Sequence, residues 1–574
     1  MQLIRRLRLP ALLCAAAVLV CELIARPYAN MGICDDGPYI LVAQHLATTG
    51  HIVYNGWSAA MLVWQLYLGA AFTNLFGFSF TAVRMSTLLV AVLMAFFLQR
   101  TLVLAGITER NATIGTLALV LSPLYLMLSV TFMSDIHGLF GIVLCLYCCL
   151  RALRSSSTGF TIGWLCFAVA MSAIFGTSRQ LTWLGVLVMV PCTLWLLRDR
   201  RRILLGGSAA TLAGVLFILG CMVWLKHQPY TTPEKFQVTN VPALFILKQF
   251  ILFFLDVPFL LLPIVALFLP EIRKSRAIVI AMIIAVSLLY ARLAIHRAYL
   301  PLLEPTIGDW VNASGGYGPS SGAAPIFLPK SAQIFLTVAS IGGLTGLMVS
   351  FFRSRGVPLA VEPSAGTTWK ELGVLLAPYS IAYILLLIYR AAAVANDGTG
   401  VIFDRYSLGL LVVALLCLIR YYQDRIQTRL PFASILMVGL IATYGIVVTH
   451  NMFALYRARV AIATQLRAAG VPDTSVDNGW EYNIGVELQH AEHVNNPEIV
   501  LPANAYVPTP PLPAGTCPLF WYDYTPLIRP LYGVSFDPNA CYGPAQFAPV
   551  HYSRWLASEP GTLYVVRYVT PSKP

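Results

Sequence analysis

Acidic residues are scarce in this chain, so their positions are informative. Asp35 and Asp36 are adjacent in N-M-G-I-C-D-D-G-P-Y, and Asp135 follows in T-F-M-S-D-I-H-G. Neighbouring carboxylates where water meets lipid can bind a divalent cation or take the proton of a nucleophilic hydroxyl. The same pair suits a helix start, since Asp before Gly37 and Pro38 can cap a helix over 39–46. Spacing alone leaves both readings open. Three arginines complete the set: Arg84 in T-A-V-R-M-S, Arg179 in F-G-T-S-R-Q and Arg405 in I-F-D-R-Y-S. A guanidinium fork matches phosphate oxygens, so these point to an anionic ligand, and snorkelling toward lipid headgroups is the plain alternative for any one of them. His137 is either a ligand or a loop histidine without a role. Glu304 and Asp309 lie in L-L-E-P-T-I-G-D-W, part of a long glycine-rich loop that can act as a lid.

The elements that position these residues follow from composition. Of 574 residues, 58% are hydrophobic and only 11% charged, against about 25% charged in a soluble globular protein. Mean hydropathy is +0.73, so the chain is a membrane protein. The formal net charge of +13 would suggest a nucleic-acid partner in a soluble protein; here it orients helices, and no nucleic acid is expected. Apolar runs over 9–24, 81–104, 112–130, 136–150, 160–176, 181–197, 203–225, 247–269, 277–294, 332–352, 372–389, 407–422 and 432–450 predict about 13 transmembrane helices. The start, with Arg5, Arg6 and Arg8 before the first run, resembles a signal peptide, but the many later runs make it a retained span.

An odd number of spans puts the termini on opposite sides, and the positive-inside rule decides which. With the N-terminus cytoplasmic, the cytoplasmic segments hold twenty Lys or Arg, among them Arg151, Arg154, Arg198, Arg200, Arg201 and Arg202, against eleven in the longer outer loops and span edges before 451. The interval 55–77 is apolar enough to count as a further span, but counting it destroys that bias, so the first outer loop is placed at 26–80. Asp35, Asp36, Asp135, Arg84, Arg179 and Arg405 then share the outer side.

From 451 the composition turns polar, proline-rich and aromatic, which predicts a transmembrane domain over 1–450 and a small extracytoplasmic domain over 451–574, α/β or α+β. Cys517 and Cys541 are its only cysteines. A bond between them would stabilise the domain by roughly 3 to 4 kcal/mol. Cys145, Cys148 and Cys149 share a helix face in an apolar span without histidine and read as packing residues. No phosphate-loop, H-E-x-x-H or Rossmann pattern occurs, so nucleotide-driven pumping has no support.

D-D-G-P-Y followed by G-H-I-V-Y-N-G-W resembles the D-E-x-x-Y and downstream glycine pattern of membrane GT-C glycosyltransferases, of the protein O-mannosyltransferase-like and aminoarabinose transferase-like families. S-D-I-H-G, the basic residue in G-T-S-R-Q and the R-Y pair in F-D-R-Y-S-L extend the resemblance over the whole chain. It implies a GT-C fold and transfer of a sugar from a polyprenyl-phosphate donor to a protein, glycolipid or polysaccharide acceptor. It also implies catalytic roles for Asp35, Asp36 and Asp135, and substrate contacts for Tyr39, Arg84, Arg179, Arg405 and Tyr406. A divalent Mg or Mn held by Asp35 and Asp135 is the one cofactor it admits. Asp36 stands where the family has Glu, and Ser58, Ala59 and Ala60 stand where the aminoarabinose subgroup has K-P-P, which argues against that subgroup.

Residue chemistry and resemblance lead to one expectation: an inverting glycosyltransferase in a bacterial inner membrane, with Asp35 as base or metal ligand and Arg179 and Arg405 stabilising the departing lipid phosphate. The competing reading is a transporter or flippase of lipid-linked sugars. Transporters place ionisable groups near the midplane, and only Asp256, in F-F-L-D-V-P-F, approaches that.

Overall fold

The computed structural model describes residues 2–58, 60–232, 257–295, 310–318, 322, 324–354, 366–394 and 403–569. Asp256, Glu304 and Asp309 lie outside them. Among the described residues nine helices are long and apolar enough to cross a membrane, and a bent pair brings the number to ten. These and two shorter apolar helices, Gln180–Leu196 and Arg276–Leu288, match every expected span except 247–269, of which residues 247–256 are not described.

The first helices are α1 (Gln2–Ala25), α2 (Asp36–Thr49), α3 (Val63–Phe76), α4 (Phe80–Leu104), α5 (Glu109–Val120), α6 (Pro123–Ser129), α7 (Ser134–Arg154) and α8 (Thr158–Gly176). At 14 residues α3 extends about 21 Å, short of the ~30 Å hydrocarbon core. It runs from the first loop into α4 without counting as a span. The run 112–130 is not one straight helix: α5 and α6 meet at 69°. Pro123 has no N–H to continue the α5 ladder, and Ser122 caps α6 by accepting from the Tyr125 N–H.

The connections gather at two ends of the bundle. At one end Arg420 donates to the Ala105 carbonyl, Thr367 to the Leu104 carbonyl, Arg200 to the Ser155 carbonyl and Arg353 to the Lys274 carbonyl. At the other end the loop after α1, the α6–α7 and α8 junctions, the start of the helix Leu408–Arg425 and the C-terminal region come together. Asp35, Asp36, Asp135, Arg84, Arg179 and Arg405 therefore share one end, and the arginine-rich loops occupy the opposite one.

The last apolar helix runs unbroken from Phe432 to Ala468. Its 37 residues reach about 55 Å, so its C-terminal part projects beyond a bilayer, and position 450, where composition changes, lies inside it. Leu455, Ala458, Ile462 and Leu466 on that projection pack against Val476, Val534, Leu563 and Val565 of a four-stranded sheet. The sheet follows a hairpin of β1 (Val311–Asn312) and β2 (Gly315–Gly316) in chain order. Its strands are β3 (Val476–Asp477), β4 (Tyr532–Ser535), β5 (Val550–Tyr552) and β6 (Gly561–Arg567), in the order β3-β4-β6-β5, with β3 parallel to β4 and the other pairs antiparallel. With the helix Trp480–Ala491 this is a small α+β unit, and Cys517 and Cys541 are disulfide-bonded within it.

Candidate active site

Asp35 occupies the N-cap position of α2, yet its side chain makes no cap hydrogen bond. One carboxylate oxygen instead accepts from the Trp57 indole N–H at 3.2 Å, and the other lies 3.3 Å from Nη1 of Arg405. Asp35 keeps 22% side-chain exposure and so remains reachable. Tyr39, one turn into α2, is buried beside it. Burial, then the Asp35 charge, pushes the Tyr39 hydroxyl well above its ordinary range, so it stays a neutral donor.

Asp36 is placed differently. It has no exposed surface, and neither has Arg84. Arg84 donates from Nε to one Asp36 oxygen at 2.7 Å and from Nη2 to the other at 3.0 Å. The remaining acceptor capacity takes the backbone N–H groups of Ile33 and Phe132. Arg84 also donates to the Ala29 and Met31 carbonyls. This pair ties the loop after α1 to α4 and to the start of α7, and it faces no open space.

Asp135 stands in the first turn of α7, where the helix dipole favours a carboxylate. Its side chain is 1% exposed, and Nη1 of Arg179 lies 3.2 Å from it. Neither of its oxygens accepts a hydrogen bond from the described residues. Buried polar atoms are nearly always satisfied; Oδ1 is engaged in the Arg179 ion pair, which leaves Oδ2 as an acceptor for a ligand hydroxyl. Burial works most strongly against the Arg179 charge, but the Asp135 carboxylate together with the Tyr406 and Tyr383 hydroxyls offsets it and holds the guanidinium above its ordinary value. Gly138 permits the approach: a Cβ there would meet Cβ of Arg179 at 2.7 Å.

The two arginines converge on Tyr406, whose ring lies 4.7 Å from the guanidinium carbon of Arg179 and 5.7 Å from that of Arg405. A small cleft lies there, lined by Asp135, Arg179, Tyr383, Arg405 and Leu408 among others. The fold thus brings Asp35, Tyr39, Asp135, Arg179, Arg405 and Tyr406 to one place and sets Asp36 and Arg84 behind it as a buried pair. His137 is not in a loop: it lies buried in α7, 3.3 Å from the Thr87 hydroxyl.

Three further residues belong to this region. Asp404 accepts the backbone N–H groups of Trp310, Val311 and Arg405, fixing the β1–β2 hairpin beside Arg405. Tyr383 donates to the Tyr406 carbonyl at 3.0 Å. Trp57 packs on Trp480 and Trp521 of the C-terminal unit. That unit grips the first loop directly, because Val494 donates to the Asn55 carbonyl and Asn496 to the Gly56 carbonyl.

A divalent cation asks for several oxygen ligands. Here Asp35 faces Arg405 and Asp135 faces Arg179, so a cation between the two carboxylates would sit against two guanidinium groups. Among the described residues no group of three or more His, Cys, Asp or Glu is placed to hold a metal. The Asp35 and Asp135 pair does not fit a metal site.

Among solved structures, the chain is similar to ArnT from Cupriavidus metallidurans in the apo state, at 12% identity over 82% of each chain with a TM-score of 0.39. It is also similar to the oligosaccharyltransferase of Archaeoglobus fulgidus in complex with Zn and sulfate, at 14% identity over 89% of this chain and 61% of that one, with a TM-score of 0.39. A third likeness is to the protein O-mannosyltransferase Pmt1-Pmt2 complex of S. cerevisiae bound to the sugar donor, at 14% identity over 38% of this chain and 33% of that one, with a TM-score of 0.29. No protein-family model matches the chain, and no curated protein matches it.

Proposed function

We propose that this protein is an integral-membrane glycosyltransferase that moves a sugar from a polyprenyl-phosphate donor to a hydroxyl acceptor on the extracytoplasmic side. The observation that carries the reading is the cleft itself. Two arginines face one ring of Tyr406, and a reachable carboxylate, Asp35, stands beside one of them at 3.3 Å. An anionic leaving group and a proton acceptor are what displacement at an anomeric carbon requires.

In the proposed step the acceptor oxygen attacks the anomeric carbon as the bond from that carbon to the phosphate oxygen breaks. The acceptor proton passes to Asp35, and the electron pair leaves with the polyprenyl phosphate. Arg179 and Arg405 stabilise the charge that develops on the phosphate. Asp135 and Tyr39 hold sugar hydroxyls, Asp135 as acceptor and Tyr39 as donor. A single displacement inverts the anomeric centre. Asp36 and Arg84 act as positioning residues that hold the Asp35 loop. No step uses a metal.

On this reading residues 1–450 form the catalytic membrane domain and 451–574 the extracytoplasmic domain, with the N-terminus in the cytoplasm of a bacterial cell. The acceptor is a protein, a glycolipid or a polysaccharide. Purified protein supplied with a polyprenyl-phosphate hexose tests the donor assignment. It should form a glycosidic product and ignore the corresponding nucleotide sugar. Arg179→Gln or Arg405→Gln should each cost roughly 1.5 to 3 kcal/mol in use of the lipid donor, or about ten- to 150-fold. Movement of the donor across vesicles without glycosidic product would favour the flippase reading instead.

A further inference from the structure

We propose that the aromatic wall beside Asp35 is the acceptor subsite, and that the acceptor it takes is a carbohydrate. This rests on the glycosyltransferase reading above and names the class of its second substrate.

The wall begins at Trp57, whose indole N–H is bound to Asp35, and continues into the C-terminal unit. Trp57 stacks on Trp480 at 5.3 Å between ring centres with 19° between planes, and lies 5.2 Å from Trp521. Trp480 and Trp521 are 5.1 Å apart. Phe520 stacks on Trp521, 4.9 Å away at 20°. Trp480 is buried, Trp57 and Trp521 are half-buried, and Phe520 is 62% exposed. Trp521 holds a left-handed backbone with φ of 56°, which a bulky residue keeps only where its surroundings fix it.

A cluster of stacked and tilted rings, half-buried at Trp57 and Trp521 and open at Phe520, that ends at a carboxylate has a definite complement. A pyranose presents C–H groups on its face and hydroxyls around its edge. The negative face of an aromatic ring attracts such C–H groups, while the edge hydroxyls reach carboxylates. Asp35 is at one end of the wall, and exposed Asp523 follows Trp521 by two residues. The donor side carries the other chemistry, with Arg179 and Arg405 in the cleft lined by Asp135. The two substrates would then meet at Asp35 from different directions. The geometry also accounts for the first loop being clamped to residues 494–496 of the C-terminal unit, because the loop supplies Trp57 and the unit the other three rings.

The test uses the full-length protein in detergent with a polyprenyl-phosphate hexose. Probes are the methyl glycosides of glucose, galactose, mannose and N-acetylglucosamine, with a serine- and threonine-containing peptide mixture as the rival acceptor. Hydrolysis of the donor by water reports the glycosyltransferase reading alone. At least one glycoside should be extended. Phe520→Ala should raise its KM at least fivefold, with kcat changed less than twofold and the thermal midpoint unchanged. Phe520→Tyr should restore the KM. Tryptophan fluorescence titrated with the same glycosides reads the subsite without turnover and should saturate in the wild type and not in Phe520→Ala. Donor hydrolysis that only the peptides divert, that no glycoside diverts, or a glycoside KM indifferent to Phe520→Ala would overturn the carbohydrate assignment. Saturable glycoside binding without any donor turnover would leave the subsite standing and sink the glycosyltransferase reading.

Discussion

Nη1 of Arg405 lies 3.3 Å from the Asp35 carboxylate, joining the loop after the first span to the start of the next-to-last across 370 positions of sequence. With no substrate in place, the proposed base and a proposed phosphate contact neutralise one another. On the proposed reading, a donor phosphate entering the cleft would compete for that guanidinium and would release the Asp35 carboxylate beside the acceptor. Donor binding would thereby prepare the base, an arrangement that disfavours proton abstraction before the leaving group is held.

The buried pair behind the site predicts a separation of stability from catalysis. Asp36 and Arg84 are both 0% exposed, and removing one partner of a buried ion pair costs about 3 to 5 kcal/mol because the other is left uncompensated. Arg84→Gln should therefore lower the thermal midpoint of the detergent-solubilised protein sharply. An Arg84→Gln protein as stable as the wild type but poor in donor binding would return Arg84 to the substrate.

Glu487 gives a pH dependence outside the membrane. It is buried in the helix Trp480–Ala491, and burial raises its carboxyl from 4.5 to about 7, with the Leu527 N–H pulling the other way. The folded chain thus holds this proton more tightly than the unfolded one. The linked stability is fully present below about pH 4.5 and is lost as pH rises through about 7. Glu487→Gln keeps an acceptor for Leu527, so it should flatten the dependence of the thermal midpoint on pH over that interval. An unchanged profile would remove Glu487 from the account.

Much of the membrane part is legible in the sequence because hydropathy acts along the chain. Runs such as 81–104 and 432–450 announce helices whatever their neighbours. The site is legible only in part. Asp35 and Asp135 are visible as rare acids in a charge-poor chain, but the commitment of Asp36 to Arg84 depends on a contact 48 positions away that no local pattern records. The same holds for Trp57, whose partners Trp480 and Trp521 come from a region that composition sets apart. Asp404 sits beside Arg405 in F-D-R-Y-S, but its role depends on backbone groups at 310–311. The 69° break between α5 and α6 was signalled by Pro123, which a hydropathy window averages away.

Orientation predicts a further outcome. An alkaline phosphatase reporter fused after Pro574 should be active, and one fused near Arg201 silent. The reverse pattern would turn the end bearing Asp35, Asp135 and Arg405 to the cytoplasm, where nucleotide sugars are available, and would remove the reason for a lipid donor.

The central claim is that Asp35 takes the acceptor proton. Asp35→Asn keeps the volume and an oxygen for the Trp57 indole N–H but removes the basicity. Transfer from a polyprenyl-phosphate hexose, measured under saturating donor, should fall by about 10²- to 10⁴-fold, the range of a positioned general base, with thermal midpoint and donor affinity retained. Transfer by Asp35→Asn at the wild-type rate would contradict the account and leave Asp35 as a residue that merely begins a helix.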